Sequence, residues 1–289
     1  MSQIEDGERI EIELRDIPQS LMDTVQEGLS PFLACMAIID RYKTPIAVGS
    51  GTFVKLNDRP CILTAAHVWR RIEKAGGMLF SFGQAAEGFS IDAKVINAHS
   101  FGDGSEREWG PDLALLELPP PEAGIIASKR IFLNLGMQAE INEHAPTPAE
   151  TDLLIVCGNV ATMSRLEQQG KIATLNMHGE ALFSVAADIH HRDGLDFIDV
   201  GVNHDVKGVP EKFGGVSGGP LWTVTIAKSR KTGAFTWDGR RRLIGVAYWE
   251  SAREEARRIV RCHGPASLYD TALKDWTASV ASGRVTAPV

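Results

Sequence analysis

The 289-residue sequence lacks several features that define broad classes of protein. It has only four cysteines, at positions 35, 61, 157 and 262, and no Cys-X-X-Cys pair, so reduced thiols are favoured over a disulfide framework. No apolar run approaches the roughly 20 residues that span a bilayer. The acidic N-terminus also lacks the basic and then apolar pattern of a secretory signal. We therefore expect a soluble, cytoplasmic protein with no membrane partner.

Motifs for metals, cofactors and nucleic acids are missing as well. No Walker loop or dinucleotide fingerprint occurs. The histidine-containing stretches at 190–193 and 261–264 lack paired ligands at useful spacing, so they predict polar loop turns and no metal site. The formal net charge of −7 argues against a nucleic-acid coat protein, and the basic, aromatic stretch 228–242 is interpreted as a solvated hairpin. We expect no cofactor and no nucleic-acid partner.

The pattern that is present is mostly that of short strands. From Phe32 onward, β-like runs are cut by Gly, Pro, Asn and Asp, which favours a β sandwich or barrel over alternating β/α units. Polar, proline-containing stretches at 118–125 and 140–152 lie on either side of 127–137, and the second is interpreted as the crossing between two halves, after which strand-like runs resume. Near the end, Leu268, Ala272 and Trp276 fall on one face of a predicted helix. The coarse prediction is two β-rich halves and a terminal helix.

Three fragments point to chemistry when they are taken together. "CILTAAHVW" runs from an apolar strand into His67, "GPDLALLELP" opens a strand with Asp112, and "FGGVSGGPLW" surrounds Ser217 with four glycines. Taken singly, His67 fits a core or loop histidine, Asp112 a turn residue, and Ser217 a flexible loop. The string GxSxG is absent, so the nucleophile elbow of the α/β-hydrolases is not supported.

In their order and approximate spacing, these fragments resemble the chymotrypsin-like (trypsin-fold) serine peptidases. "LTAAHV", "DLALLEL" and "GGVSGGP" are similar to the histidine, aspartate and serine motifs of that family, and "RRLIGVAYW" resembles its following strand. The resemblance implies an all-β fold of two packed six-stranded antiparallel β-barrels with a C-terminal α-helix. It divides the chain into an N-terminal extension (1–30), a first barrel (31–140), a second barrel (141–262) and a C-terminal helix and tail (263–289).

The same resemblance assigns roles to individual residues. Ser217 would be the nucleophile, His67 its general base, and Asp112 the group that orients His67. The N–H groups of Gly215 and Ser217 would form the oxyanion hole, which explains the glycines, because a side chain at Gly215 would obstruct the backbone. The implied activity is that of a serine endopeptidase, which cleaves a protein or peptide substrate through an acyl-enzyme intermediate.

Some positions depart from the family pattern. Val216 stands where the family carries an aspartate that pairs with a newly cut N-terminus, and no activation sequence similar to "IVGG" precedes the first barrel. We therefore expect no zymogen switch, and either a constitutively formed site or one ordered by an activating partner or ligand. Val216, together with Tyr248 and Glu250, also motivates the alternative function, a peptidase-like binding or sensing module with little or partner-dependent turnover. An esterase with the same triad is less supported, since no apolar lid is evident.

The specificity pocket is harder to derive. Counting back six residues from Ser217 gives Glu211 as the pocket floor, which would favour a basic substrate side chain. The alternative is that Glu211 is simply a surface residue. Tyr248, Trp249 and Glu250 are predicted to form the pocket wall, and the bulk of Tyr248 and Glu250 would narrow it.

Overall fold

The structure, a computed structural model, describes residues 13–81, 88–102, 108–144, 152–169, 172–177, 179–184, 187–204, 209–229 and 232–281. The protein is mostly β, with antiparallel sheets, one of which forms a half-barrel, and a C-terminal helix. The N-terminal half contains strands β1 Leu33–Ile39, β2 Pro45–Leu56, β3 Arg59–Thr64, β4 Gly77–Ser81, β5 Gly88–Asp92, β6 Asn97–Phe101, β7 Leu113–Glu117 and β8 Leu133–Asn134.

These eight strands form one sheet in the order β5-β4-β1-β2-β3-β7-β6, and β8 pairs with β2 in parallel. The pairing of β3 with β7 positions the predicted site. The two strands are antiparallel, and Thr64 at the end of β3 lies opposite Ala114 near the start of β7. The segments that follow β3 and precede β7 therefore emerge at the same edge of the sheet.

The second half of the chain forms another eight-stranded sheet, in the order β12-β9-β15-β17-β18-β14-β13, with β16 paired to β15. Strand β9 lies inside this sheet and is buried along its whole length. A separate hairpin consists of β10 and β11. The strands of this half are β9 Asp152–Asn159, β10 Arg165–Gln169, β11 Ile172–Asn176, β12 Gly179–Ser184, β13 Ala187–Arg192, β14 Leu195–Asn203, β15 Pro220–Lys228, β16 Phe235–Trp237, β17 Arg242–Glu250 and β18 Arg257–His263.

The helices only partly match the sequence-based expectation. The α-helices are α1 Gln19–Leu29, α2 Ala66–Ala75, α3 Pro120–Ala127, α4 Leu135–Glu143 and α5 Leu273–Ala281, and a π-helical stretch, Ala266–Ala272, leads into α5. No helix was expected in the proline-containing stretch at 118–125, but Pro120 begins α3, since proline suits the first turn of a helix. Helix α4 extends to Glu143, into the stretch that was expected to be a crossing between the two halves. Within the described residues, no helix has both the length and the apolar character needed to cross a membrane.

The core joins the two sheets and both ends of the described chain. One cluster of buried side chains includes Val25 of α1, Leu63 of β3, Trp222 of β15 and Trp276 of α5. A second cluster fills the first sheet but also receives Phe197 and Tyr248 from the second. A third belongs to the second sheet alone. The part of the predicted N-terminal extension that the structure describes is therefore packed into the core, at least through α1.

The burial of Trp276 predicts how much α5 contributes to stability. Trp276 is 1% exposed and lies in the cluster that joins the sheets. Because truncation would remove a large apolar side chain and leave a cavity, Trp276→Ala should lower the free energy of unfolding by about 3–5 kcal/mol. Urea denaturation measures this change. Lys274→Ala, an exposed substitution on the same helix, is the control and should stay within about 0.5 kcal/mol of the parent protein.

Candidate active site

His67 and Asp112 meet at the edge of the first sheet. His67 is the second residue of α2, directly after β3, and Asp112 directly precedes β7. The backbone N–H of His67 donates to Asp112 Oδ1 at 2.9 Å, and His67 Nδ1 lies 2.6 Å from Asp112 Oδ2. Only 6% of His67 and 1% of Asp112 is exposed. Both carboxylate oxygens are therefore occupied by one histidine.

This pairing defines what the imidazole can do. A carboxylate accepts hydrogen bonds, so the proton of His67 is held on Nδ1, which leaves the lone pair of Nε2 available as a base. The backbone bond to Oδ1 also prevents the carboxylate from rotating away. The arrangement is that of an oriented general base.

Ser217 lies in a tight loop between β14 and β15. The Val216 N–H donates to the Phe213 carbonyl at 2.9 Å, and the Gly219 N–H donates to the Val216 carbonyl at 2.8 Å. Gly215 and Gly218 have φ angles of 93° and 85°, which residues with a side chain rarely adopt. Two of the four glycines are thus required by the shape of the backbone around Ser217.

The Ser217 loop is attached to the first sheet by Ser50 of β2. The Ser50 N–H donates to the Ser217 carbonyl at 2.8 Å, and Ser50 Oγ donates to the Gly215 carbonyl at 2.7 Å. Ser50 Oγ also accepts the N–H of Asn159, at the end of β9, at 2.7 Å. A Cβ on Gly218 would collide with the Ser50 carbonyl. Ser50 therefore joins the loop to both sheets.

The loop also carries the two N–H groups that were expected to form an oxyanion hole, those of Gly215 and Ser217. The Gly214 carbonyl accepts the N–H of Ala161 at 2.8 Å, which fixes the orientation of the peptide group that carries the Gly215 N–H. No hydrogen bond within the described residues uses the N–H of Gly215 or of Ser217. Fixed, unpaired N–H groups of this kind can stabilise negative charge on an oxygen atom.

The side chain of Val216 anchors the Ser217 loop by packing against apolar residues. It is 2% exposed and belongs to the core cluster of the second sheet, together with Val160 and Phe213. Gly158 of β9 makes room for it, because a Cβ there would lie 2.7 Å from the Val216 Cα. The loop is therefore ordered by burial and by hydrogen bonds within this chain.

His67 and Ser217 line the same cleft, which has a volume of about 300 Å³. The Ser217 hydroxyl donates a long hydrogen bond of 3.5 Å to the Tyr248 carbonyl. Within the described residues, no hydrogen bond joins it to His67. Catalytic hydrogen bonds are often long or misaligned before substrate binds. The feature that links Ser217 to His67 in the free protein is therefore the cleft that both residues line.

The predicted substrate-binding residues separate into two groups. Tyr248, Trp249 and Glu250 line the cleft, whereas Glu211 is exposed and is not one of the described residues that line it. Glu250 accepts the Phe213 N–H at 2.9 Å through Oε2. Its Oε1 lies 3.4 Å from Arg258 Nη1. Glu250 therefore supports the Ser217 loop as well as the cleft wall.

Two buried residues of the site were missed in the sequence. The expectation of a loop at 261–264 was wrong for its first three residues, because His263 is the last residue of β18 and is 0% exposed. Its Nε2 accepts the Asp112 N–H at 3.1 Å. Ser50 was also overlooked, although it stands between two glycines in an apolar strand, and strand glycines often indicate a close backbone approach. His190 and Arg192 likewise belong to β13 and not to a loop.

Comparison of the chain with protein-family models and with curated proteins finds no match. Within the described residues, no group of three or more His, Cys, Asp or Glu side chains could hold a metal ion.

The burial of Val216 predicts the effect of introducing an aspartate at this position. Val216→Asp would place a carboxylate in an apolar cluster, and an unpaired buried charge costs about 3–5 kcal/mol of stability. Chemical denaturation measures the loss. Val216→Ala, the matched control, removes apolar contact alone and should cost roughly 2 kcal/mol. Equal stability of the aspartate variant and the parent would contradict this account of the loop.

Burial of His263 predicts a loss of stability in acid. Burial lowers the pKa of His263 from 6.5 to about 3, and only the charge of Asp112 opposes this shift. Between these values the unfolded chain binds a proton that the folded protein does not, so stability falls as the pH drops below about 6.5.

The expected contribution of His263 is on the order of 2 kcal/mol between pH 6.5 and pH 4.5. Urea denaturation at the two pH values measures the change, and the comparison with His263→Gln isolates the contribution of this group. If His263→Gln loses as much stability as the parent between the two pH values, His263 is not the cause of the loss.

Proposed function

We propose that the protein is a serine endopeptidase in which His67, Asp112 and Ser217 form the catalytic triad. One observation carries the proposal: a histidine bonded twice to a buried carboxylate shares a cleft with a serine whose loop carries two amides that form no hydrogen bond within the described residues. Each part has another explanation alone, but together they supply a nucleophile, an oriented base and donors for an oxyanion.

The proposed reaction uses these groups in sequence. Ser217 Oγ attacks the substrate carbonyl while its proton moves to His67 Nε2, and Asp112 stabilises the imidazolium. The carbonyl oxygen becomes negatively charged and is met by the N–H groups of Gly215 and Ser217. His67 then gives its proton to the leaving amine as the C–N bond breaks. Water, activated by His67, hydrolyses the acyl-enzyme.

The proposal includes a trypsin-like arrangement of two packed barrels. It is supported by the division of the chain into two sheets between Asn134 and Asp152. His67 and Asp112 belong to the first sheet's edge, and the Ser217 loop belongs to the second. The proposed cleft would then lie between the barrels, and a peptide would contact Tyr248, Trp249 and Glu250.

Several observations bear on regulation and location. The Ser217 loop is ordered by contacts within the chain, which supports a site that needs no activating partner.

All four cysteines are free, and three of them are buried. Burial raises the pKa of Cys61 to about 12, so this thiol is protonated and unreactive at neutral pH. Free thiols support the proposed cytoplasmic location.

A binding or sensing module is the second candidate. The observation in its favour is that the Ser217 hydroxyl bonds to the Tyr248 carbonyl and not to His67. If this bond persists when a peptide is bound, the serine would not be activated, and the cleft would only recognise its ligand.

Labelling with a fluorophosphonate probe tests the proposal. Such a probe forms a covalent bond with an activated serine, so the parent protein should be labelled and Ser217→Ala should not. His67→Ala should lower the labelling rate by about 10²- to 10⁴-fold, because the general base is lost. In-gel fluorescence measures both effects, and cleavage of a peptide library reports endopeptidase activity.

Ser128→Ala is the matched control, because Ser128 is an exposed serine at the end of α3. This variant should be labelled like the parent. Labelling that persists in Ser217→Ala would contradict the assigned nucleophile. A folded parent protein that is neither labelled nor active, but binds peptides, would favour the module.

A further inference from the structure

His263 is buried behind the cleft and contacts one residue from each half of the candidate site, Asp112 and Tyr248. It ends β18 in the second sheet and lies opposite Val246 of β17 and Phe197 of β14. Its imidazole ring stacks on Tyr248, with ring centres 4.4 Å apart and planes inclined by 22°. It also accepts the Asp112 N–H. One side chain of the second sheet therefore contacts the orienting aspartate and a wall residue of the cleft.

The bond to Asp112 determines the form of the His263 ring. Nε2 can accept a hydrogen bond only when it carries no proton, so the proton lies on Nδ1. Nδ1 is buried and has no partner within the described residues. The low pKa of His263 keeps the ring neutral through the neutral and mildly acidic range. The hydrogen bond to Asp112 is therefore maintained wherever the protein is folded at ordinary pH.

The backbone of Asp112 depends on this acceptor. Asp112 is 1% exposed, and an N–H group buried without a partner costs about 1–3 kcal/mol. Both of its carboxylate oxygens are already bonded to His67, so a shift of the Asp112 backbone would move the imidazole as well. The position of His67 is thus linked to a residue that does not touch the cleft.

We propose that His263 is a positioning residue, which holds the Asp112 backbone in place so that the His67–Asp112 pair stays aligned with Ser217. The proposal rests on the function proposed above. It extends that function by assigning a role to a histidine that does not itself take part in proton transfer. The hydrogen bond between His263 of the second sheet and the Asp112 N–H therefore fixes the position of His67, the proposed general base at the edge of the first sheet.

Two variants separate the hydrogen bond from the packing of His263. His263→Phe keeps a flat ring against Tyr248 but removes the acceptor, whereas His263→Gln keeps an acceptor oxygen at a similar reach. His99→Phe is the matched control, because His99 is another buried histidine, 5% exposed, on β6. All three are compared with the parent in the full chain.

The first measurement does not depend on activity. The proton between His67 Nδ1 and Asp112 gives a low-field signal in proton NMR spectra when the bond is ordered. We expect this signal in the parent, in His263→Gln and in His99→Phe, and its loss or a marked shift in His263→Phe. The same signal in folded His263→Phe as in the parent would overturn the proposal, whether or not the protein is a peptidase.

The second measurement is the rate of fluorophosphonate labelling. A displaced base should slow labelling by about 10- to 100-fold in His263→Phe, while His263→Gln should keep most of the parent's rate. Equal slowing in both folded variants would show that packing alone matters, and would overturn the proposal. If the parent is not labelled, the proposed function fails and the NMR comparison still decides the role of His263.

A variant that fails to fold does not end the test. If far-UV circular dichroism shows that His263→Phe is unfolded, His263→Leu replaces it as the variant without an acceptor. Loss of the NMR signal in folded His263→Leu and its retention in His263→Gln would support the proposal. Identical spectra for these two variants would overturn it.

Discussion

The hydrogen bonds of Ser50 are the constraint on which the geometry of the cleft depends. Its backbone and hydroxyl satisfy the carbonyls of Ser217 and Gly215, and its hydroxyl also accepts the Asn159 amide. Ser50 and Asn159 are 0% exposed, and a buried polar atom without a partner is costly. Ser50 therefore fixes the conformation of the Ser217 loop. Without it, the carbonyls of Gly215 and Ser217 would need other hydrogen-bond donors, and the loop would change its conformation.

The two sheets support each other's part of the site. His67 and Asp112 belong to the first sheet, but the Asp112 amide is held by His263 of the second. The Ser217 loop lies between two strands of the second sheet, but the Ser217 carbonyl accepts the N–H of Ser50 from the first sheet. The apolar cluster that contains Leu63 and Trp222 also extends across both sheets. The relative position of the sheets therefore determines the distances within the cleft.

The sequence indicated candidate site residues because His67, Asp112 and Ser217 each lie in a short motif. His67 and Asp112 were expected to meet, and they do, since β3 and β7 are neighbours. Tyr248, Trp249 and Glu250 line the cleft and Glu211 is not among the described residues that line it, while their role in binding a substrate stays a prediction. The assignment of Ser217 as a nucleophile stays a prediction, as do the domain boundaries.

Ser50 and His263 were not found, because their roles depend on contacts with residues more than 100 positions away, which no local pattern reveals. The helices α3 and α4 were missed because prolines and polar residues also fit an irregular crossing.

The crowding around Gly218 has a consequence for how this region can vary. A Cβ at that position would collide with the Ser50 carbonyl and with the Thr64 hydroxyl, and Thr64 itself donates to the Ser50 carbonyl at 2.6 Å. Because these residues share one confined space, the energetic effects of substitutions among them should not add. They form an epistatic unit, so libraries that randomise them one at a time would find few tolerated changes, whereas joint randomisation could reach alternative combinations.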